Sequence, residues 1–444
     1  MKKTLFLSLY FFMPLLLIIL IFYSNTDKYS DISYFFPMAT GAAAYTFFME
    51  EFIMIARPKF IEKYFGLDKF YKFHAIMAVV ALLLAYIHKE TELIRRFSGR
   101  EFGENALNIF LVVSILALIF MADIIVMKIK PLFELRKYLE QKKLSKYEFQ
   151  VLIHNITVLG IILLFIHVYL TTASKLYLSV RIAYIIYFGM GLCFYCYHKF
   201  IKIIIMRSRR FTVSEVIKEA DGIYTFRLKP LNGKIFDYKA GQFGFVRFFG
   251  KAVSPEEHPF SFSSSPDNKA YISITIKELG DFTSKMKNIA AGTKVFLDGP
   301  YGNFSYTNYP DEKNTVLIAG GIGITPAISM VRFMGSRDKN KKVMLLWGIR
   351  SRDDLICLDE IEEIQKTMKN FKLIPIASND DSWEGEKGFV DKEKIERLLK
   401  GNGFLLRESG FYICGPKLML ESVLKSLKQI GIQKRNVHFE SFSL

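Results

Sequence analysis

The chain has 444 residues, of which 51% are apolar and 23% charged, with a formal net charge of +17 and only four cysteines. At about 150 residues per domain the length accommodates roughly three domains, and the mix excludes collagen-like, disordered and cystine-stapled classes. The apolar residues are unevenly spread: 1–206 is mostly apolar runs, whereas 207–444 reads as a charged, alternating α/β sequence. A membrane half therefore precedes a soluble half.

Six apolar stretches approach the roughly 20 residues that cross a bilayer as a helix, near 4–23, 35–56, 70–88, 107–127, 150–170 and 178–205. The first opens with Lys2 and Lys3 like a signal peptide, but its apolar core is too long and no small-x-small cleavage site precedes Asn25. The loops after the second and fourth stretches are basic, through Arg57, Lys59, Lys63, Lys69 and Lys72, and then through Lys128 to Lys146. Arg207, Arg209 and Arg210 follow the sixth. The intervening loop mixes Lys89, Arg95, Arg96 and Arg100 with Glu90, Glu92, Glu101 and Glu104. The positive-inside bias places the N-terminus and the soluble half in the cytoplasm of a plasma-membrane protein. Basic loops against anionic lipid account for much of the charge, so no nucleic-acid partner is expected.

Four of the seven histidines fall in two of these stretches: His74 and His88 in the third, His154 and His167 in the fifth. Ionisable residues inside a membrane are costly and mark function by default. The two stretches run the same way, so His74 lies level with His154, and His88 with His167. Spacings of 14 and 13 residues correspond to about 20 Å of rise. This suits two haems stacked across the membrane, each iron held by one imidazole from each helix and closed to inner-sphere chemistry. Fourteen residues return to one helix face, but thirteen miss it by roughly 140°. The fifth helix must bend or change winding, and Gly160 is the expected place. Cys193 and Cys196, a C-x-x-C with no second pair nearby, read as packing residues.

From Phe211 to about Asn303, strand-like segments such as "GQFGFVRF" (241–248) and "YISITIKEL" (271–279) predict a small antiparallel barrel with one short helix near 281–291. Between them, "HPFSFSSSP" (258–266) offers Ser261 to a flavin edge and Ser263 and Ser264 to phosphates. "GDFTSKM" (280–286) sets Gly280 and Thr283 at a helix start, where backbone N–H groups favour a pyrophosphate. From Lys313 strands and helices alternate. "NTVLIAGGIGITPAISMVRFM" (314–334) predicts strand, glycine turn and helix, with Thr325 as N-cap and Pro326 in the first turn. Gly320, Gly321 and Gly323 would let the backbone approach a dinucleotide phosphate. With "KVMLLWGIRSRDDL" (342–355) and "GFYICGPKLMLESV" (410–423) the pattern is a parallel sheet with ligands at its strand C-terminal ends. Arg350, Ser351 and Arg352 stand where an adenosine 2′-phosphate would lie, favouring NADPH over NADH.

With these motifs the whole chain resembles the ferric reductase / NADPH oxidase superfamily of transmembrane flavocytochromes. The resemblance rests on the two histidine pairs, "HPFSFSSSP", "GPYGNF" (299–304), "GGIGITP" and "CGP" (414–416). It implies a six-helix transmembrane haem domain over 1–206, an FAD-binding β-barrel over 207–312 and an NAD(P)-binding α/β domain over 313–444. It further implies FAD held by His258, Pro259, Phe260 and Ser261. NADPH or NADH would be held by Gly320 to Thr325, Arg350 and the Cys414, Gly415, Pro416 turn, with Cys414 facing the nicotinamide. An aromatic near the C-terminus would shield the flavin, Phe442 first and Phe439 next. The implied activity is electron transfer from cytoplasmic NAD(P)H through FAD and two b-type haems to an acceptor outside, either oxygen or a ferric chelate drawn by Arg95, Arg96 and Arg100. Outward electron movement against an inside-negative potential is favourable by about 2.3 kcal/mol per 100 mV. A haem-free membrane-anchored flavin reductase serving a protein is the alternative. No regulatory motif is recognisable, so no obligatory regulatory subunit is expected.

Overall fold

A computed structural model describes residues 2–57, 66–92, 99–121, 126, 129–141, 147–250 and 253–441. Contacts divide the chain into two compact units, one of residues 1–65 and 69–201, the other of 66–68 and 202–444.

The first unit is helical. Its long helices are α1 (Lys2–Ser24), α2 (Ile32–Ile55), α3 (Leu67–Thr91) and α4 (Arg100–Met121). Then come α5 (Lys130–Gln141), α6 (Tyr147–Asn155), α7 (Thr157–Tyr169) and α8 (Leu178–Cys196). Asp31 starts α2 by accepting the Ser33 N–H at 2.8 Å. Hydrogen bonds and a ring stack tie the helices together. The Tyr45 hydroxyl donates to the Tyr184 carbonyl at 2.8 Å, Tyr187 donates to the Met13 carbonyl at 2.8 Å, and Phe48 stacks on Phe110 at 4.3 Å. Leu9, Ile76, Leu83, Val112 and Ile186 face outward instead, as a lipid-facing surface requires. Among the described residues five helical stretches are long and apolar enough to cross a membrane: Thr4–Ser24, Lys69–Thr91, Arg100–Phe120, Phe149–Tyr169 and Leu178–Met206. The other expected stretch is helical as α2 but less apolar, carrying Pro37, Thr40, Gly41, Glu50 and Glu51. Of the C-x-x-C, Cys193 is exposed rather than packed, and all four cysteines are free thiols.

The second unit opens with α9 (Lys202–Ser208) and two sheets. The first sheet holds β1 (Arg210–Ala220), β2 (Ile223–Pro230), β3 (Phe243–Phe249), β4 (His258–Ser261), β5 (Ile272–Lys277) and β6 (Lys294–Tyr301), all antiparallel, in the order β4-β3-β6-β1-β2-β5. The β1–β2 hairpin turns at Asp221-Gly222, with Gly222 at φ +65°. The end strands meet: Phe262 bridges Ile274, and Ser263 N–H donates to the Ser273 carbonyl at 2.8 Å. Lys202 of α9 pairs with Asp298 of β6 at 2.7 Å, and the Tyr301 hydroxyl donates to the same carboxylate at 2.6 Å.

The second sheet holds β7 (Asn314–Gly320), β8 (Lys342–Ile349), β9 (Phe371–Ala377), β10 (Glu386–Lys387), β11 (Ser409–Cys414) and β12 (Val437–Glu440), all parallel, in the order β10-β9-β8-β7-β11-β12. The crossover helices are α10 (Ile324–Arg337), α11 (Leu358–Thr367), α12 (Lys392–Gly401) and α13 (Lys417–Ile430). Both faces are covered, which is why the strands read as continuous apolar runs. Leu317, Leu345, Trp347 and Tyr412 fill one layer; Val316, Ile318, Met344, Leu346 and Phe411 fill the other. The strand order reverses beside β7, so β7 and β11 end at the topological switch point where a ligand crevice forms.

Candidate functional site

In the helical unit the four histidines form the two expected pairs. The ring centres of His74 (α3) and His154 (α6) lie 6.2 Å apart, and those of His88 (α3) and His167 (α7) also 6.2 Å. Two metal–nitrogen bonds of about 2 Å each, plus about 1.1 Å from each nitrogen to its ring centre, put two imidazoles on one metal at roughly 6.3 Å. Among the described residues no three His, Cys, Asp or Glu side chains converge. Two imidazoles with no other donor suit a metal whose remaining ligands come from a macrocycle, so the residues fit a bis-histidine haem at each level.

The two pairs are supported differently. His88 Nδ1 bonds the Pro37 carbonyl at 2.8 Å, and His167 Nδ1 the Gly99 carbonyl at 3.0 Å. Both rings lie against glycine. A Cβ on Gly41 would stand 2.7 Å from His88 Nδ1, and one on Gly103 2.6 Å from His167 Nδ1. Beside this pair opens a cavity walled by Phe48, Ala85, Leu107, Phe110 and Leu164 and rimmed by Lys89, Glu92, Arg100 and Glu104. Arg100 pairs with Glu104 at 2.8 Å. Arg95 and Arg96 lie outside the described residues. At the other pair His74 Nδ1 contacts the Glu51 carboxylate, to which the Tyr10 hydroxyl donates at 3.3 Å.

The fifth stretch changes winding at Ile156, not at Gly160, and this takes up about 60° of the mismatch. α6 ends at Asn155 and α7 begins at Thr157, and Ile156 N–H bonds back three residues to Ile153 at 2.9 Å. Such a tight turn overwinds the helix and rotates His167 toward the face of His154. Gly160 serves packing: a Cβ there would lie 2.6 Å from the Phe110 ring.

In the antiparallel sheet, His258, Pro259, Phe260 and Ser261 form β4. His258 stacks on Phe282 at 3.7 Å and bonds Glu256 at 3.1 Å. Burial holds its imidazole pKa below the usual value, and Glu256 offsets this only in part. Ser263 and Ser264 are not presented to a ligand. Both are fully buried; Ser263 bonds the hydroxyls of Ser273 and Thr275, both at 3.0 Å, and Ser264 that of Tyr238 at 2.8 Å. The expected helix near 281–291 is a 3₁₀ turn, Thr283–Asn288. Thr283 Oγ1 accepts the N–H groups of Leu279 and Gly280 at 2.9 and 3.0 Å, so those two donors are already satisfied.

At the parallel sheet's C-terminal edge the glycines divide their work. Gly323 lets the backbone approach Cys414: its Cβ would fall 2.7 Å from the Cys414 carbonyl carbon and 2.8 Å from Gly415 Cα. A Cβ on Gly320 would meet Met419 and Pro416. Only Gly321, at φ +51° with nothing within 4 Å of its Cβ position, faces open space. Gly323, not Thr325, is the α10 N-cap; Thr325 lies inside the helix and donates to the Ile322 carbonyl at 3.2 Å. Cys414 closes β11 fully buried, and burial first, then nearby Glu440, pushes its thiol pKa well up, so it is neutral. Arg350 and Ser351 follow β8, with Arg350 exposed and its N–H donating to Asp354 at 2.9 Å. Phe442 lies outside the described residues; Phe439 is on β12 with 39% exposure.

Sequence reasoning passed over Glu51, Tyr10, Gly41, Gly103 and Phe282. For Glu51 the sequence offered only an acidic doublet, Glu50-Glu51, within an apolar stretch, with no sign of its partner.

Comparison with known proteins places these features in a family context. A model described as ferric reductase like transmembrane component matches residues 40–166, an FAD-binding domain model 211–305 and an oxidoreductase NAD-binding domain model 317–425. The chain is similar to the glycine betaine monooxygenase reductase subunit of Chromohalobacter salexigens, 29% identical over 51% of this chain and 62% of that one. It is also similar to the flavohemoprotein of Rhizobium meliloti, 29% identical over 53% and 60%. It thus spans about three fifths of these curated relatives. Among solved structures, the flavohem-like FAD/NAD binding domain of nitric oxide dioxygenase from Vibrio cholerae O1 biovar El Tor matches with a TM-score of 0.47 and 23% identity, over 52% of this chain and 98% of that one.

Proposed function

Because the chain carries in order the transmembrane, FAD-binding and NAD-binding parts of the ferric reductase / NADPH oxidase superfamily, we propose that it moves electrons across a membrane, from cytoplasmic NAD(P)H to an acceptor on the far side. Residues 1–206 form the six-helix haem domain, 207–312 the FAD-binding barrel and 313–444 the NAD(P)-binding domain. The observation that carries the reading is the pair of histidine pairs, each at 6.2 Å, on helices that run the same way. Bound flavin would supply hydride acceptance and bound haem would supply single-electron transfer.

The chain's residues orient and exclude. Gly321 leaves room at the switch point for a nucleotide phosphate, Arg350 and Ser351 meet the adenosine end, and the neutral Cys414 thiol bounds the nicotinamide side. The β4 segment His258 to Ser261 lines the flavin site, and an aromatic near the C-terminus, Phe442 or Phe439, covers it. His88 and His167, oriented by the Pro37 and Gly99 carbonyls, hold the outer haem beside the cavity of Phe48, Leu107, Phe110 and Leu164. That wall is apolar, and among the described residues its rim charges balance, with Arg100 paired to Glu104. The basic loops place the N-terminus and both nucleotide domains on the cytoplasmic side of the plasma membrane.

The test is vectorial. In sealed proteoliposomes with NADPH added outside, trapped cytochrome c should be reduced. Reduction confined to acceptors added on the NADPH side would instead establish a haem-free anchored reductase.

A further inference from the structure

The two histidine pairs share one separation but not one electrostatic environment. His88 and His167 meet neutral backbone carbonyls. His74 meets a carboxylate, Glu51, buried to 7% exposure in α2 and steadied by Tyr10 of α1, itself 5% exposed. Residues of three helices thus form one chain of contacts, Tyr10 to Glu51 to His74, and a Leu at 51 would fill the space without burying a charge. A carboxylate on the distal nitrogen raises the basicity of the ligating one. It also stabilises the more positive oxidation state of a metal in a medium where charge is weakly screened.

We propose that Glu51 is a positioning residue that holds the iron of the His74/His154 pair at a lower reduction potential than that of the His88/His167 pair. The inference rests on the haem reading above. It supplies a built-in slope: the electron leaves the site beside Glu51 and goes downhill to the site beside the outer cavity. Tyr10 tempers the effect, because its hydroxyl draws electron density from the same carboxylate.

The experiment is a redox titration of the full-length protein, followed in the visible haem bands and by electron paramagnetic resonance. The wild-type protein should titrate in two steps. In Glu51→Gln the lower step should rise by at least tenfold in equilibrium constant, about 59 mV for one electron, while the upper step stays in place. Glu51→Asp should retain most of the separation. Tyr10→Phe should move the lower step the opposite way, to lower potential, and this variant keeps the carboxylate should Glu51→Gln lose a haem. Two bound haems with both steps unmoved in Glu51→Gln, or an unmoved or rising lower step in Tyr10→Phe, overturns the proposal. Absence of any haem spectrum from the wild-type protein overturns the haem reading itself, a separate result.

Discussion

Gly41 and Gly103 offer the sharpest mutational test of the outer histidine pair. A Cβ at Gly41 would lie 2.7 Å from His88 Nδ1 and 2.9 Å from Cε1; at Gly103 it would lie 2.6 and 2.7 Å from the same atoms of His167. Ordinary contact is about 3.5–4 Å, so each imidazole would have to retreat by about 1 Å. The rings have little freedom to do so, because Nδ1 of each is already bonded to a backbone carbonyl at 2.8 or 3.0 Å. Overpacking of this kind costs about 1–3 kcal/mol, which at about 1.4 kcal/mol per decade is roughly a 5- to 150-fold loss of haem affinity at that level. Gly41→Ala and Gly103→Ala proteins should therefore carry close to one haem per chain instead of two, measured by the pyridine haemochrome assay. Gly189→Ala is the control. It lies in the helical unit, on α8, with nothing within 4 Å of its Cβ position, and should retain both. Two haems with an unaltered spectrum in both Gly41→Ala and Gly103→Ala would refute the assignment of His88 and His167 as ligands.

Three further outcomes follow from the second unit, where both tryptophans, Trp347 and Trp383, report on the parallel sheet by fluorescence. Gly321→Ala should raise the KM for NADPH several-fold with little loss of stability, whereas Gly323→Ala, driven into the Cys414 backbone, should lower the unfolding midpoint of the sheet. Glu312 accepts from the Tyr412 hydroxyl at 2.5 Å and pairs with His438 at 2.6 Å, all largely buried. Glu312→Ala leaves both groups without that acceptor and should cost about 3 kcal/mol in chemical denaturation. Burial alone would raise the Asp354 carboxyl pKa, but the Arg350 N–H and Lys277 outweigh it and hold it low. Its stabilisation is therefore complete above the unfolded value of about 3.9 and lost as pH falls through the folded one. The stability gap between wild type and Asp354→Asn should close below about pH 4 and stay constant from pH 5 to 8.

The features written in local composition were legible from the sequence. Apolar runs mark the helices, continuous apolar strands mark a sheet covered on both faces, and four histidines at matched spacing mark the two pairs. What was not legible depended on distant partners. Glu51 reads as one of an acidic doublet until α3 brings His74 against it. The break at Ile156 carries no Pro or Gly, so the spacing mismatch was visible but its place was not. In "GGIG" three glycines look equivalent, yet two serve the 414–416 turn and Met419, and one faces open space. Ser263 and Ser264 belong to a serine-rich turn in sequence and to the sheet interior in three dimensions.

The central claim is that electrons from a soluble nucleotide reach metal sites held by His74, His88, His154 and His167. The most direct measurement is the visible absorption spectrum of the purified protein, recorded anaerobically before and after NADPH. The protein should show a low-spin b-type spectrum that NADPH reduces, with both haems lost in the His74→Ala/His88→Ala double variant. A flavin band alone, with NADPH still consumed when an acceptor is added, would contradict it.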